Sequence, residues 1–186
     1  ANSIVARVNF VGELGWEIYL PTEFAGSAYD AVVAAGRDHG LVHAGFHAMD
    51  SLRLEKGYKH WGHDITDEDT PLEAGLGFAV AFDKPAEFVG REALLRQREN
   101  GIGRRLVLFA LDDPGPLLYH NEPIWRDGEL VGRLTSGAYG HMVGSAIGMG
   151  YVELPGADAD EFIDSGRFEI EVACQRLPAR VLRKGG

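Results

Sequence analysis

Apolar and polar residues alternate from Ser3 to Phe10, Gly12 and Gly15 interrupt the pattern, and Trp16-Glu17-Ile18-Tyr19-Leu20 alternates again. Period two on both sides of a glycine turn predicts a β-hairpin, because glycine takes the positive φ that a tight reversal requires. Alternation then puts Trp16, Ile18 and Leu20 on one face, expected to be the core face, and Glu17 and Tyr19 on the other. After Pro21 the period lengthens. With Thr22 as cap and Glu23 in the first turn, Phe24, Ala28, Val32 and Ala35 predict a helix running to Gly40. Phe46, Met49, Leu52 and Arg53 share a face of a second helix, Phe46 to Lys56, which Gly57 stops. Leu76 to Phe82 reads as a strand, and Gly90 opens a third helix that ends at Asn100-Gly101.

Beyond Ile102-Gly103-Arg104 the helical period is gone. Arg105 to Leu111 alternates, Pro123-Ile124-Trp125 and Leu130 to Leu134 flank the hairpin turn Arg126-Asp127-Gly128, and Ala146 to Val152, Phe168 to Cys174 and Leu177 to Leu182 complete the set. Strands separated by turn signals in this way predict a small closed or nearly closed antiparallel barrel. The expected architecture is therefore α+β, with a mixed domain over residues 1–100 and a barrel over 103–186.

The chain has 186 residues, 45% of them hydrophobic, which is enough to bury a core. A formal net charge of −10 excludes binding to a phosphate backbone, which needs clustered Lys and Arg. The apolar runs are too short for a membrane span, and the N-terminus lacks a charged-then-apolar signal. A single cysteine, Cys174, rules out an internal disulfide framework and fits a reducing compartment. His39, His43 and His47 are spaced four and four, but Gly40 and Gly45 interrupt any helix that would align them, so no metal site is expected. His60 and His63 read as loop histidines, and the acidic run Thr66 to Thr70 lacks the spacing of a calcium loop. Gly148-Met149-Gly150 lies within a strand, without the following helix that a dinucleotide fingerprint needs.

The hairpin carries the most chemistry. A carboxylate beside an aromatic ring on the open face of a sheet suits a flat heterocycle with an amidine-like N–H pair, of which pterin is one. A solvated hairpin with an ordinary polar face is the plainer role and, on residue pattern alone, the favoured one. The string Gly12-Glu13-x-Gly15-x-Glu17, followed by a strand and Pro21, resembles the G-E-x-G-x-E segment of the aminomethyltransferase (glycine cleavage T-protein) superfamily. Four further elements resemble the same family in the same order: Asp50-Ser51-Leu52-Arg53-Leu54-Glu55-Lys56-Gly57, Thr70-Pro71-x-Glu73-Ala74-Gly75-Leu76, Phe88-x-Gly90-Arg91-Glu92-Ala93-Leu94, and Val131-Gly132-x-x-Thr135-Ser136-Gly137.

The resemblance implies the rear part of a folate-binding domain followed by a Greek-key barrel. It also implies that Glu17 holds the pterin of tetrahydrofolate; Tyr19 and Trp16 are taken with it as candidate binding residues. Within the superfamily, the stretch from Ser51 to Ile65 and the Pro71 to Phe78 segment are most similar to the C-terminal region of sarcosine and dimethylglycine dehydrogenases. Those are flavoproteins that pass a one-carbon unit from an N-methylated amino acid to tetrahydrofolate. The alternatives are a stand-alone folate-dependent aminomethyltransferase or demethylase, and a non-catalytic folate-binding module. Met49 stands where T-proteins carry an arginine, so that arginine's role is not carried over. The family's catalytic aspartate and the dehydrogenases' FAD domain would both precede this chain, whose missing initiator methionine points to a piece of a longer protein. Residues 1–186 alone are thus expected to hold no catalytic residue, no FAD and no metal, with any homo-oligomer forming through the full-length protein. Its compartment would be the cytoplasm, or the mitochondrial matrix in a eukaryote. Glu17 is expected to face away from the core without a protein partner.

Overall fold

The computed structural model describes residues 2–156 and 158–183. The chain forms two compact units, Ala1–Tyr58 and Lys59–Gly186.

In the first unit β1 (Ile4–Ala6) and β2 (Glu17–Tyr19) pair antiparallel, with Ile4 opposite Tyr19, Val5 opposite Ile18 and Ala6 opposite Glu17. Residues 7–16 connect them as a long loop, not a tight reversal. That loop is shaped by Asn9, whose Oδ1 accepts the N–H groups of Val11 at 3.1 Å and Gly12 at 2.7 Å. Gly12 follows at φ +72°, a conformation that costs a side-chain-bearing residue energy. Lys56 Nζ holds Glu13 at 3.1 Å. The helix expected from Thr22 to Gly40 is three pieces, a 3₁₀ turn Thr22–Phe24, α1 (Ala25–Gly36) and a second 3₁₀ turn Arg37–His39. Thr22 makes no capping bond, because the turn starts from Pro21 and Thr22 already lies within it.

The second helix, α2 (Phe46–Glu55), ends where Gly57 donates to the Leu54 carbonyl at 2.9 Å. Of the expected face of Phe46, Met49, Leu52 and Arg53, only Arg53 is buried, alongside Ser51 and Leu54; Phe46 is exposed. The Arg53 guanidinium bonds Asp50 and the Tyr58 carbonyl, each at 3.2 Å, and these local partners let a cation take an inward position. Leu54 is the only buried apolar side chain of this unit among the described residues.

The second unit contains a closed six-stranded antiparallel barrel: β3 (Arg104–Leu111), β4 (Pro123–Arg126), β5 (Glu129–Gly140), β6 (Ser145–Glu153), β7 (Phe168–Val172) and β8 (Gln175–Val181), in the order β3-β6-β5-β4-β7-β8. β4, β5 and β6 are consecutive hairpin strands, and β3 returns beside β6, which is the Greek-key arrangement. Asp127 at φ +50° and Gly128 at φ +91° make the β4–β5 turn that the Asp-Gly pair signals. Phe109, Leu111, Ile124, Leu134, Val152 and Ile170 fill the interior. The Val131 to Gly137 motif has a packing reason. A Cβ on Gly132 would overlap the Tyr151 carbonyl, and one on Gly137 would overlap the Leu118–Tyr119 backbone.

Two helices flank the barrel strands in sequence, α3 (Arg91–Asn100) before β3 and α4 (Ala159–Ser165) between β6 and β7. α4 was not expected; Asp158 caps it by accepting from the N–H groups of Asp160 and Glu161 at 3.0 Å. The strand expected from Leu76 to Phe82 is instead a 3₁₀ turn, Gly77–Ala79, with Phe78 exposed. Its backbone groups bond locally, Ala79 N–H to Leu76 O at 2.9 Å and Val80 N–H to Gly77 O at 3.1 Å, so they are not offered to a sheet. Cys174, expected to end a strand, sits in the β7–β8 turn at φ +64° and is exposed.

The segment before α3 is fastened to the barrel. Leu106 donates its N–H to the Glu73 carbonyl at 2.9 Å, and Arg104 reaches Asp69 at 2.8 Å while covering the Tyr151 ring at 4.7 Å. Burial, reinforced by the Asp69 carboxylate, pushes the Tyr151 hydroxyl above the usual phenol range. Asp64 is 1% exposed; it accepts the His60 N–H at 2.8 Å and the Thr135 hydroxyl at 2.5 Å.

Candidate functional site

Strand alternation puts Glu17 and Tyr19 on one face of the β1–β2 ribbon, across from Ala6 and Ile4. The Tyr19 hydroxyl donates to Glu17 Oε2. This bond first, then the carboxylate's charge, raises the Tyr19 pKa above its ordinary value. Glu17 therefore has a protein partner, contrary to expectation, because two residues along a strand bring a phenol within reach of a glutamate.

The second correction concerns the opposite face. Trp16 is 60% exposed and Ile18 47%, so neither is a core residue of this unit. A ribbon of two three-residue strands has no layer of its own to bury them against. The structure thus joins Glu17 to Tyr19 and leaves Trp16 one residue upstream, by alternation on the other side.

The β1–β2 loop encloses an open cavity of about 460 Å³ lined by Arg7, Asn9, Glu13, Leu14 and Gly15. The Gly-Glu-x-Gly string therefore builds a shaped loop around a concavity and delivers the chain into β2. Chemically the ribbon face is specific. A carboxylate has only acceptor oxygens, and a phenol whose proton is given to that carboxylate has only lone pairs left. Glu17 and Tyr19 together offer a row of acceptors to a ligand edge that carries N–H donors.

Three of the histidines have partners close in space. Tyr29 and His43 share a hydrogen bond of 2.8 Å between the hydroxyl and Nε2, and His60 stacks on His63 with ring centres 4.8 Å apart. Sequence reasoning missed the Tyr29–His43 pair and the Asp64–Thr135 bond; each joins residues far apart in the chain, and no periodicity announces them. Among the described residues no group of three His, Cys, Asp or Glu side chains is arranged to hold a metal, and no helix is long and apolar enough to cross a membrane.

The ribbon is followed in sequence by the Greek-key barrel, and comparison with known proteins bears directly on that order of elements. The GCVT N-terminal domain family matches residues 1–84, and the glycine cleavage T-protein C-terminal barrel domain family matches residues 104–185. The chain belongs to the aminomethyltransferase (glycine cleavage T-protein) superfamily. It is 46% identical over 178 residues to 4-methylaminobutanoate oxidase (formaldehyde-forming) of Paenarthrobacter nicotinovorans, an alignment covering 96% of this chain and 21% of that protein. To human mitochondrial sarcosine dehydrogenase it is 44% identical over 167 residues, covering 89% of this chain and 18% of the relative. The crystal structure of the glycine cleavage system aminomethyltransferase T from Bartonella henselae superposes with a TM-score of 0.81 at 28% identity, over 97% of this chain and 48% of that one. The chain thus spans about a fifth of the length of these two curated relatives.

Proposed function

We propose that this chain supplies part of the tetrahydrofolate site, together with the C-terminal barrel, of a protein that passes a one-carbon unit from an N-methylated amino acid to tetrahydrofolate. The observation that carries the reading is the acceptor row of Glu17 and Tyr19, which fits the amino group and ring N–H on the edge of a pterin. When bound, tetrahydrofolate supplies the nitrogen nucleophile that takes up the one-carbon unit.

This chain's own residues would hold the pterin edge. Glu17 accepts from the two pterin donors, each charge-assisted bond contributing about 1.5–3 kcal/mol. Tyr19 holds the carboxylate in place, whereas Trp16, on the other side of the strand, is not brought to that face. Fixing the pterin edge in this way turns the meeting of folate with a released iminium or formaldehyde into a local event.

Both curated relatives bear names of oxidases or dehydrogenases of N-methylated amino acids, which supports that substrate class and an oxidation by FAD held outside these residues. The Gly148-Met149-Gly150 pair does not fit a dinucleotide: both glycines lie inside β6, which runs on to Glu153, and α4 opens only at Ala159. The mitochondrial location in the second relative's name supports the mitochondrial matrix as the compartment in a eukaryotic source; in a bacterial source the compartment proposed is the cytoplasm.

The test is titration of the intact protein with tetrahydrofolate while flavin absorbance is recorded, repeated for Glu17→Gln. The amide keeps the shape of the side chain but turns one acceptor into a donor facing the pterin N–H groups. Affinity is expected to fall about tenfold or more, with amine oxidation and melting temperature unchanged. Unchanged folate affinity in the variant would refute the reading.

A further inference from the structure

We infer that the barrel unit carries a second binding site, for a carboxylate attached to a small apolar body, in the groove where the Leu72 to Phe78 segment meets the end of α3, the start of β3 and the beginning of α4. The inference goes beyond the folate reading and does not rest on it.

The groove is an open cavity of about 480 Å³, and Arg98 of α3 and Arg105 of β3 both line it. These two arginines differ from their neighbours in sequence. Arg96 pairs with Glu92 at 3.7 Å and Arg104 with Asp69 at 2.8 Å, whereas neither Arg98 nor Arg105 has an ion-pair partner among the described residues. The cause is not a shortage of carboxylates, because the chain carries 28 acidic side chains against 18 Lys and Arg. Other contacts hold the two guanidinium groups in place. That of Arg98 lies over the Phe82 ring, 4.6 Å from its centre, and Arg105 donates to the Leu72 carbonyl in a long bond of 3.4 Å. A ring contact consumes no N–H group, and one carbonyl consumes one of the five on a guanidinium, so most of the donors are left for a ligand.

Charge and lining together define that ligand. Asp158 is the one acidic residue of the lining, and its Oδ1 already accepts from the N–H groups of Asp160 and Glu161 at 3.0 Å to cap α4. Two guanidinium groups against one carboxylate leave a single positive charge, which matches a monoanion better than a phosphate dianion. The flat fork of a guanidinium also fits the two oxygens of a carboxylate. Leu72, Phe78 and Ile102 supply the apolar part of the lining, and Phe78 is 81% exposed, so its ring is available to the body of the ligand. A small free acid and the C-terminal carboxylate of a peptide share this chemistry.

The experiment measures, by calorimetry on the intact protein, binding of benzoate, of its neutral counterpart benzamide and of the dipeptide glycyl-phenylalanine. It is run on the wild type, Arg105→Gln, Arg98→Gln and the control Arg96→Gln, with melting temperatures alongside. Benzoate is expected to bind in preference to benzamide. Arg105→Gln should weaken benzoate about tenfold and the more exposed Arg98→Gln about threefold, while Arg96→Gln leaves it unchanged. Dipeptide binding with the same dependence on Arg98 and Arg105 supports the site with chain termini as its ligands, and benzoate binding without it supports the site with free acids alone. If Arg105→Gln lowers the melting temperature, Arg98→Gln on its exposed helix face decides the matter. Equal binding of benzoate and benzamide, or a benzoate affinity that Arg98→Gln leaves unchanged, would overturn the inference while the folate reading stands.

Discussion

Replacing Thr135 with valine tests how the Lys59 to Ile65 segment is attached to the barrel. Valine has the shape of threonine without the hydroxyl, so the change deletes one donor and little volume. Thr135 Oγ1 lies 2.5 Å from Asp64 Oδ1 and 3.0 Å from the Met149 carbonyl, and its single proton goes to the nearer, charged oxygen. Asp64 is 1% exposed, so water does not readily replace the lost donor. A hydrogen bond to a charged group contributes about 1.5–3 kcal/mol, and leaving the carboxylate short of a partner brings the cost to the upper part of that range, about 2–3 kcal/mol. For a unit the size of residues 59–186, an unfolding entropy of about 0.27 kcal/mol/K converts this to a drop of about 7–11 °C in melting temperature. Calorimetry of the wild type, Thr135→Val and Thr135→Ser measures it directly; the serine variant keeps the hydroxyl and should recover most of the loss. A drop below about 2 °C in the valine variant would mean that the Asp64 carboxylate is held by its other partners, and the attachment argument would fail.

Other expectations follow from the same geometry. Tyr151 holds its proton to higher pH in the folded chain than in the unfolded one, whose phenols titrate near pH 10. The unfolded state then binds fewer protons above about pH 10, so stability falls as pH rises through that region, and Tyr151→Phe should flatten the fall in denaturant unfolding measured from pH 8 to pH 11. Gly137→Ala places a methyl group against the Leu118–Tyr119 backbone and should cost about 1–3 kcal/mol in the same assay; an unchanged midpoint would show that the loop over β5 yields freely.

Much of the fold was readable along the chain, and the reason is local. Period-two alternation and the Asp127-Gly128 turn mark the barrel strands without any partner being known, and helix α3 follows from a glycine at each end and a compatible stretch between them. The pairing of Glu17 with the Tyr19 side of its strand is equally local, because residues two apart on a strand share a face whatever surrounds them. Burial is another matter. Trp16 and Ile18 have the pattern of core residues, yet whether they are covered depends on what packs against a ribbon of two short strands, and the unit has only Leu54 as a buried apolar side chain among the described residues. The Leu76 to Phe82 stretch has strand composition, but local hydrogen bonds won over a sheet that offered it no free edge. Closure of the barrel by Phe109 on Val181, and the bond from Thr135 to Asp64, join residues about seventy positions apart. The sequence by itself determined the barrel strands, helices α2 and α3 and the chemistry each presents, since propensity and periodicity act over a few residues. Only the tertiary structure decided which faces are covered and which distant polar groups meet, because those depend on packing between segments that carry no mark of one another.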